Sequence, residues 1–245
     1  MKVIILAAGR GSRLNHLTDD KPKCMCKVNG RTILERCIET LEKSGFNRND
    51  IIIVTGYKSE KIDIKDVIYL YNENYENTNM FISLTMADKY LKTEDCIIVY
   101  SDIIFSENAI NELKNTKENI AITYYTEFWK LWKLRFENPF DDIETFKINE
   151  KSYLTQIGLK TNDLNDIQGQ YMGILKITPS IYEKILEITK KELPKPLEKL
   201  DMTTLLNEMI KNKINILAIP TSDLWLECDT EEDIKIYERE FLEYL

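Results

Sequence analysis

Five short apolar runs in the first half of the chain constrain its fold more than anything else in the sequence. They are Val3-Ile4-Ile5-Leu6, Ile51-Ile52-Ile53-Val54, Val67-Ile68-Tyr69-Leu70, Ile97-Ile98-Val99-Tyr100 and Ile120-Ala121-Ile122-Thr123. They are rich in β-branched residues and nearly continuous, whereas a strand covered on one face only would alternate. Such runs suit strands of a parallel sheet buried on both faces. Between them Ile33, Leu34, Cys37, Ile38 and Leu41 fall at helical spacing, as do Phe81, Leu84 and Thr85, with Asp88 and Leu91 on the adjacent face. Repeated β-α units predict an α/β chain with a Rossmann-like, doubly wound sheet and helices on both faces. The second half alternates more, as in Tyr171, Gly173, Leu175 and Ile177, so mixed or antiparallel strands are expected over 120–178. Helices are expected at about 179–192 and 202–213, strands at 214–219 and 224–229, and a closing helix at about 231–244, capped by Asp229 or Thr230. Leu193-Pro194-Lys195-Pro196 reads as a surface loop.

Composition removes several classes of function. The net charge of −8 argues against nucleic acid or an anionic membrane as the main partner, since both reward a basic face. A single histidine, His16, makes a zinc site improbable; of the five cysteines, Cys24 and Cys26 are spaced too closely for a CxxC clip, and Cys37, Cys96 and Cys228 read as small buried hydrophobes. Met1-Lys2 is followed by a run too short for a signal peptide, and no apolar run reaches the about 18 residues of a membrane span, so a cytoplasmic protein without membrane insertion is expected.

Chemistry concentrates where the first strand ends. Leu6-Ala7-Ala8-Gly9-Arg10-Gly11-Ser12-Arg13-Leu14 is followed by Lys21-Pro22-Lys23. Ligands of open α/β sheets sit at the carboxyl ends of strands. Gly9 and Gly11 let the backbone approach phosphates and offer N–H donors, while Arg13 and Lys23 add cations. A dinucleotide fingerprint would need a third glycine where Leu14 stands, and a Walker loop would need Gly-Lys-Ser/Thr. A triphosphate loop also wants carboxylates for a hard cation. Asp102 and Asp229 each follow an apolar run, where a carboxylate without a cation is costly. Their alternative role is to cap the helices that follow. Glu227 alternates in phase with Asp229 and so shares its strand face.

The segment from Leu6 to Lys23 resembles the signature of the superfamily of sugar-nucleotide pyrophosphorylases and cytidylyltransferases, Leu-x-Ala-Gly-x-Gly-Ser/Thr-Arg-Leu followed by Pro-Lys. The resemblance extends over nearly the whole chain and implies one nucleotidyltransferase domain, 1–245. Residues 1–126 would be its nucleotide-binding half. Residues 127–245 would supply the acceptor-binding lobe and the second metal ligand. It implies that Leu6, Ala7, Ala8, Gly9, Gly11 and Ser12 wrap the triphosphate, with Ser101 nearby. Arg13 would stabilise the reacting phosphates, and Lys23 would bridge toward the acceptor phosphate. Asp102 and Asp229 would grip one Mg2+. Trp225-Leu226-Glu227-Cys228-Asp229-Thr230-Glu231-Glu232-Asp233-Ile234 is similar to the family's second metal motif.

A further pattern resembles the small cytidylyltransferases of the phosphocholine, aminoethylphosphonate and phosphoglutamine type. It comprises Trp129, Trp132, Arg135, Asn138-Pro139, Asp142, Glu144-Thr145 and Lys147, then residues 166–173 and Asp201-Met202-Thr203. The expected reaction joins CMP from CTP to a small phosphorylated or phosphonylated acceptor, releases pyrophosphate, and serves surface polysaccharide or lipid headgroup synthesis. Trp129, Trp132 and Tyr171 are expected either to wall a cationic acceptor or to be core anchors. Asp142, Glu144 and Glu227 would supply negative charge, with Arg135 in the same pattern, and Gln170 would meet an amide end. Asn79 and Ser83 are candidate base readers, and Thr78 or Asn79 is equally an N-cap candidate. His16 reads as structural or a weak phosphate contact. The rival expectations are a sugar-1-phosphate enzyme using UTP or dTTP, and a silent nucleotide-binding module. A monomer or a homodimer is expected.

Overall fold

The computed structural model describes residues 1–245. Its strands are β1 (Lys2–Ala7), β2 (Lys27–Val28), β3 (Arg31–Thr32), β4 (Ile51–Thr55), β5 (Ile68–Tyr71), β6 (Cys96–Tyr100), β7 (Ile103–Phe105), β8 (Ile120–Tyr125), β9 (Glu144–Ile148), β10 (Leu154–Lys160), β11 (Gln170–Ile177), β12 (Leu217–Thr221) and β13 (Trp225–Glu227). The helices are α1 (Ile33–Lys43), α2 (Met80–Thr85), α3 (Asp88–Leu91), α4 (Glu107–Asn115), α5 (Phe128–Arg135), α6 (Pro179–Ile188), α7 (Met202–Lys211) and α8 (Glu231–Glu240). Seven strands form the central sheet in the order β12-β8-β11-β6-β1-β4-β5. All its pairings are parallel except those of β11, which runs antiparallel to both β6 and β8. The α/β doubly wound mixed sheet is thus present, with the antiparallel element in the second half.

The continuous apolar runs have a direct physical cause. Side chains of β1 alternate between two cores. Val3, Ile5 and Ala7 enter one, with α1, α4, α5 and α8, while Ile4 and Leu6 enter the other, with α2, α6 and α7. Both faces are covered, so no position of the strand faces water. The run at Val67–Leu70 differs: the strand is Ile68–Tyr71, at the sheet edge, and Tyr69 and Tyr71 are exposed. Other boundaries also shift. The Phe81–Leu91 pattern is two short helices broken at Met86-Ala87, the Leu217 strand begins after a loop, and the last helix ends at Glu240. Thr230, not Asp229, caps α8, in a reciprocal capping box with Asp233. No helix is long and apolar enough to cross a membrane.

Two deviations place the site. Asp102 sits in a tight turn between β6 and the short β7, which pairs antiparallel with β13. That ribbon carries the end of β13 back to Asp102, where Cys228 N–H donates to the Asp102 carbonyl at 2.9 Å. In β11 the register with β8 slips by two residues between Tyr171 and Leu175, and Gly173 lies there at φ 74°. A two-residue slip keeps the alternation of faces, so Tyr171 and Leu175 stay in the same core. A Cβ at Gly173 would stand 2.6 Å from the Tyr100 ring. Gly173→Ala is therefore expected to destabilise the protein by about 2–3 kcal/mol, read as a fall in Tm of about 4–10 °C. An unchanged Tm would show that the bulge relaxes freely.

Candidate active site

The loop after β1 is held open for a ligand by its own backbone. Gly11 adopts φ 76°, and a Cβ there would stand 2.5 Å from Lys23 Cβ, so only glycine lets the two arms of the loop close. Lys23 N–H donates to the Arg10 carbonyl at 3.2 Å, Tyr57 N–H donates to the Ala8 carbonyl at 3.0 Å, and Thr18 Oγ1 donates to the Gly11 carbonyl at 3.3 Å. With its carbonyls fixed this way, the N–H groups of Gly9, Arg10 and Gly11 donate to nothing in the protein. Free, aligned N–H groups at a strand end make an anion-binding concavity. The cleft holds about 200 Å³ and is lined by Leu6, Ala8, Gly9, Gly11, Lys23, Tyr75, Thr78, Asn79, Met80, Ser83, Ser101 and Asp102. A larger cavity of about 570 Å³, behind the loop against α8, holds none of the loop glycines or strand-end acids. Exposed His16 lies on that side, its Nδ1 3.8 Å from Glu231 Oε2.

At the floor of the cleft Lys23 Nζ lies 2.6 Å from Asp102 Oδ2 and 2.6 Å from Asp229 Oδ1. Burial works against the Lys23 charge, but Asp102, Asp229 and Glu227 outweigh it and hold its pKa above the ordinary lysine value. The same balance acts in reverse on Asp229: burial would raise it, and Lys23, Arg13 and Arg135 bring it below the usual carboxylate range. Arg13, largely exposed, reaches Asp229 Oδ1 at 2.7 Å. Asp102 Oδ1 is buried and has no hydrogen-bond partner.

Arg135 stands elsewhere than the acceptor pattern implied. Its side chain is wholly buried, and its guanidinium fans out to three carboxylates. Nε and Nη2 donate to Asp233 at 2.8 and 3.2 Å, Nη2 also to Asp229 Oδ2 at 3.1 Å, and Nη1 to Glu227 Oε2 at 3.3 Å. The plane stacks over Trp132 and Phe136. Wholly buried behind the three carboxylates, it fixes Asp229 from behind. Trp132 is likewise a core anchor and not an acceptor wall. It is fully buried, stacks on Trp225 at 5.9 Å with 7° between planes, and donates from Nε1 to Asp142 Oδ2 at 3.2 Å. Asp142 is therefore tied to Trp132 by one oxygen. Trp129 packs on Phe140 at 5.6 Å, with Lys133 Nζ over its ring.

The remaining candidates divide between two clusters. Tyr171 is buried edge-on to Tyr100 at 6.0 Å, its hydroxyl without a partner. Gln170 precedes it, half-buried, opposite Tyr125. Burial raises the pKa of Glu144, and neighbouring Asp201 and Asp142 push it further, against Lys160 and Lys195. Burial, and the Asp229 charge, push Glu227 well above the usual carboxylate range. Asn79 uses its side chain as the cap of α2, accepting from Met80 N–H at 2.8 Å and reaching the Lys199 carbonyl at 3.4 Å. Ser12 opens the kinked helical segment Ser12–Thr18 after the loop, and Ala7 ends β1. Asn72 and Tyr75 are site residues that the sequence pattern did not single out, whereas Asp233 lies within the stretch already likened to the second metal motif. Asn72 directly follows β5, so the strand-end rule that singled out Asp102 applied equally to it.

The family model of the MobA-like NTP transferase domain matches residues 3–152. Over 96% of its length the chain is 32% identical to a CTP:phosphoglutamine cytidylyltransferase of Campylobacter jejuni, of which 98% is covered. A choline-phosphate cytidylyltransferase of Streptococcus pneumoniae is 32% identical over 57% of this chain and 61% of that protein. Among solved structures, a CTP:phosphocholine cytidylyltransferase from Streptococcus pneumoniae superposes with a TM-score of 0.73 at 21% identity, covering 98% of each chain. A putative glucose-1-phosphate thymidylyltransferase from Bacillus anthracis does so with a TM-score of 0.75 at 19% identity, covering 96% of this chain and 92% of that one; these two likenesses speak to fold alone. A glycine loop with free amides, its lysine set between two strand-end acids, and a match over the loop-bearing half agree: the chain belongs to the family of MobA-like NTP transferase domains and is a nucleotidyltransferase enzyme.

Proposed function

We propose that the chain transfers CMP from CTP to a small phosphorylated or phosphonylated acceptor and releases pyrophosphate, with Mg2+ held by Asp102 and Asp229. The observation that carries this is Lys23 Nζ at 2.6 Å from both acids beneath a loop whose amides are free. The donor set suits the metal. Mg2+ takes one or two carboxylates and completes its shell with phosphate oxygens and water. Here the protein offers two such acids, no group of three or more His, Cys, Asp or Glu side chains that could cage a softer ion, and an unpartnered oxygen on Asp102. Bound there, the ion would neutralise phosphate charge in the transition state.

The rest of the work falls to the chain. Free N–H groups at Gly9, Arg10 and Gly11 hold the triphosphate. Arg13 and Lys23 lie within reach of Asp229 and stabilise charge as pyrophosphate leaves. The acceptor phosphate is already an anion, so no general base is required. Asp229 offers Oδ1 to the site because Arg135 holds Oδ2. The choice of CTP rests on the similarity to the phosphoglutamine enzyme, which runs the length of both chains. For the far end of the acceptor we favour the neighbouring carboxylates of Glu144 and Asp201, whose negative charge suits an amine or the N–H of an amide. A role in surface polysaccharide or lipid headgroup synthesis follows from that acceptor class.

The reading is tested by pyrophosphate release with CTP, UTP, dTTP and ATP against phosphorylated alcohols, amines and amides. CTP with a small amine- or amide-bearing phosphate is the expected pair; turnover of UTP or dTTP with a sugar 1-phosphate would replace the reading. Asp102→Asn and Asp229→Asn are each expected to lower kcat more than about a hundredfold with the fold retained, since charge stabilisation by the metal is a matter of several kcal/mol. Activity within tenfold of wild type in both variants refutes the metal assignment. Arg135→Met leaves buried acids without their cation and is expected to cost about 3–5 kcal/mol of stability. Arg135→Lys keeps the charge but not the fork, and should keep most of the stability while weakening Mn2+ binding measured by titration calorimetry. Unchanged Mn2+ affinity in Arg135→Lys would limit Arg135 to a structural role.

A further inference from the structure

We propose that Asn72 sets the pyrimidine preference of the enzyme by leaving the Ser83 hydroxyl only one direction in which to donate, into the nucleotide cleft. Asn72 follows β5 and is buried, its N–H donating to the Thr55 carbonyl at 2.9 Å. The orientation of its amide follows from its neighbours. The Asn74 N–H can only donate, and it points at Asn72 Oδ1 at 3.1 Å, so Nδ2 must occupy the other side. From there Nδ2 donates to Thr78 Oγ1 at 2.9 Å and to Ser83 Oγ at 3.1 Å. Both amide hydrogens are thereby used. The two hydroxyls they reach then differ. Thr78 passes its own hydrogen on to the Asn74 carbonyl at 2.9 Å and is complete. Ser83 accepts from Asn72, its hydroxyl finds no acceptor in the protein, and its side chain lines the cleft.

This inference rests on the CTP reading and deepens it. Cytosine presents acceptors at N3 and O2, whereas uracil carries a hydrogen on N3. A freely turning serine could serve either base, because a hydroxyl both donates and accepts. O2 is common to both bases, so the distinction arises at N3: a Ser83 that faces N3 donates to cytosine, whereas against uracil it meets a second donor and its own hydrogen loses that acceptor. Asn79, the neighbouring polar side chain, has Oδ1 on the Met80 N–H and Nδ2 near the Lys199 carbonyl, and it is the same in every variant compared below. Asn72 is thus a positioning residue that acts on the base through Ser83.

The test is calorimetric titration of CTP and UTP, each with MgCl2, into the wild-type protein, Asn72→Asp, Ser83→Ala and the double variant. In Asn72→Asp an oxygen replaces Nδ2 and draws the Ser83 hydrogen to itself. The ratio of CTP to UTP affinity is expected to fall about tenfold in Asn72→Asp and by a similar factor in Ser83→Ala, with no further fall in the double variant. A ratio in Ser83→Ala equal to wild type overturns the proposal, whether or not Asn72→Asp folds. So do equal losses of CTP and UTP in Asn72→Asp, or additive effects in the double variant. A wild-type protein without CTP preference removes the CTP reading itself; a wild-type preference that survives both single variants removes only the role given to Asn72 and Ser83.

Discussion

Asp229 carries a cation on each of its oxygens, Lys23 and Arg13 in front and Arg135 behind, and the active edge is organised around that arrangement. An aspartate this deeply buried would be driven toward its neutral form unless opposite charge surrounded it. Front and rear cations come from different parts of the chain. Lys23 arrives on the arm that Gly11 allows to close, Arg135 at the end of α5, and Asp229 itself on the ribbon of β13 with β7. The ion pairs therefore join the loop and the segment after β8 at one carboxylate, and Asp233 ties the last helix to the same Arg135. Trp132 and Trp225, stacked behind the guanidinium, exclude water from its rear face and strengthen each of these attractions.

Much of this was legible from local pattern. The β-branched runs declared a sheet covered on both faces because a continuous apolar strand has no other stable setting. Gly11 and Lys23 were legible as a pair because a tight turn after a strand needs glycine, and the structure sets Gly11 at φ 76° against Lys23. Asp102 and Asp229 stood out as acids at the ends of apolar runs, and the structure brings both to Lys23. The exposure of Tyr69 and Tyr71 was hidden, since membership of an edge depends on what lies beside a strand and not on the strand's own residues.

Arg135 and Trp132 show the other limit. From the sequence, the indole of Trp132 reads equally as an acceptor wall or a core anchor, and Arg135 reads as part of the same acceptor pattern. Their true partners, Asp229, Asp233 and Trp225, lie more than ninety positions away and are met only when α8 and β13 fold against α5. The aromatic stripe belongs to packing at Trp132 for the ordinary reason that a large ring buries much apolar surface. Asn72 went unnoticed because asparagine after a strand is common turn chemistry, and its significance lies in the direction of two hydrogens.

The single reversed strand, β11, has a consequence for how the rim of the cleft is built. Parallel strands all present their carboxyl ends to the active edge, so β1, β5 and β6 deliver the loop, Asn72 and Asp102 from residues that follow them. β11 runs the other way and delivers its beginning, Gln170 and Tyr171, to that edge. One rim is thus fed by two opposite chain directions, with the β11 residues entering before their strand is laid down and the loop, Asn72 and Asp102 after theirs. Alterations at positions 168–171 can reshape one bank of the cleft while the strand order that supports the other bank stays as it is.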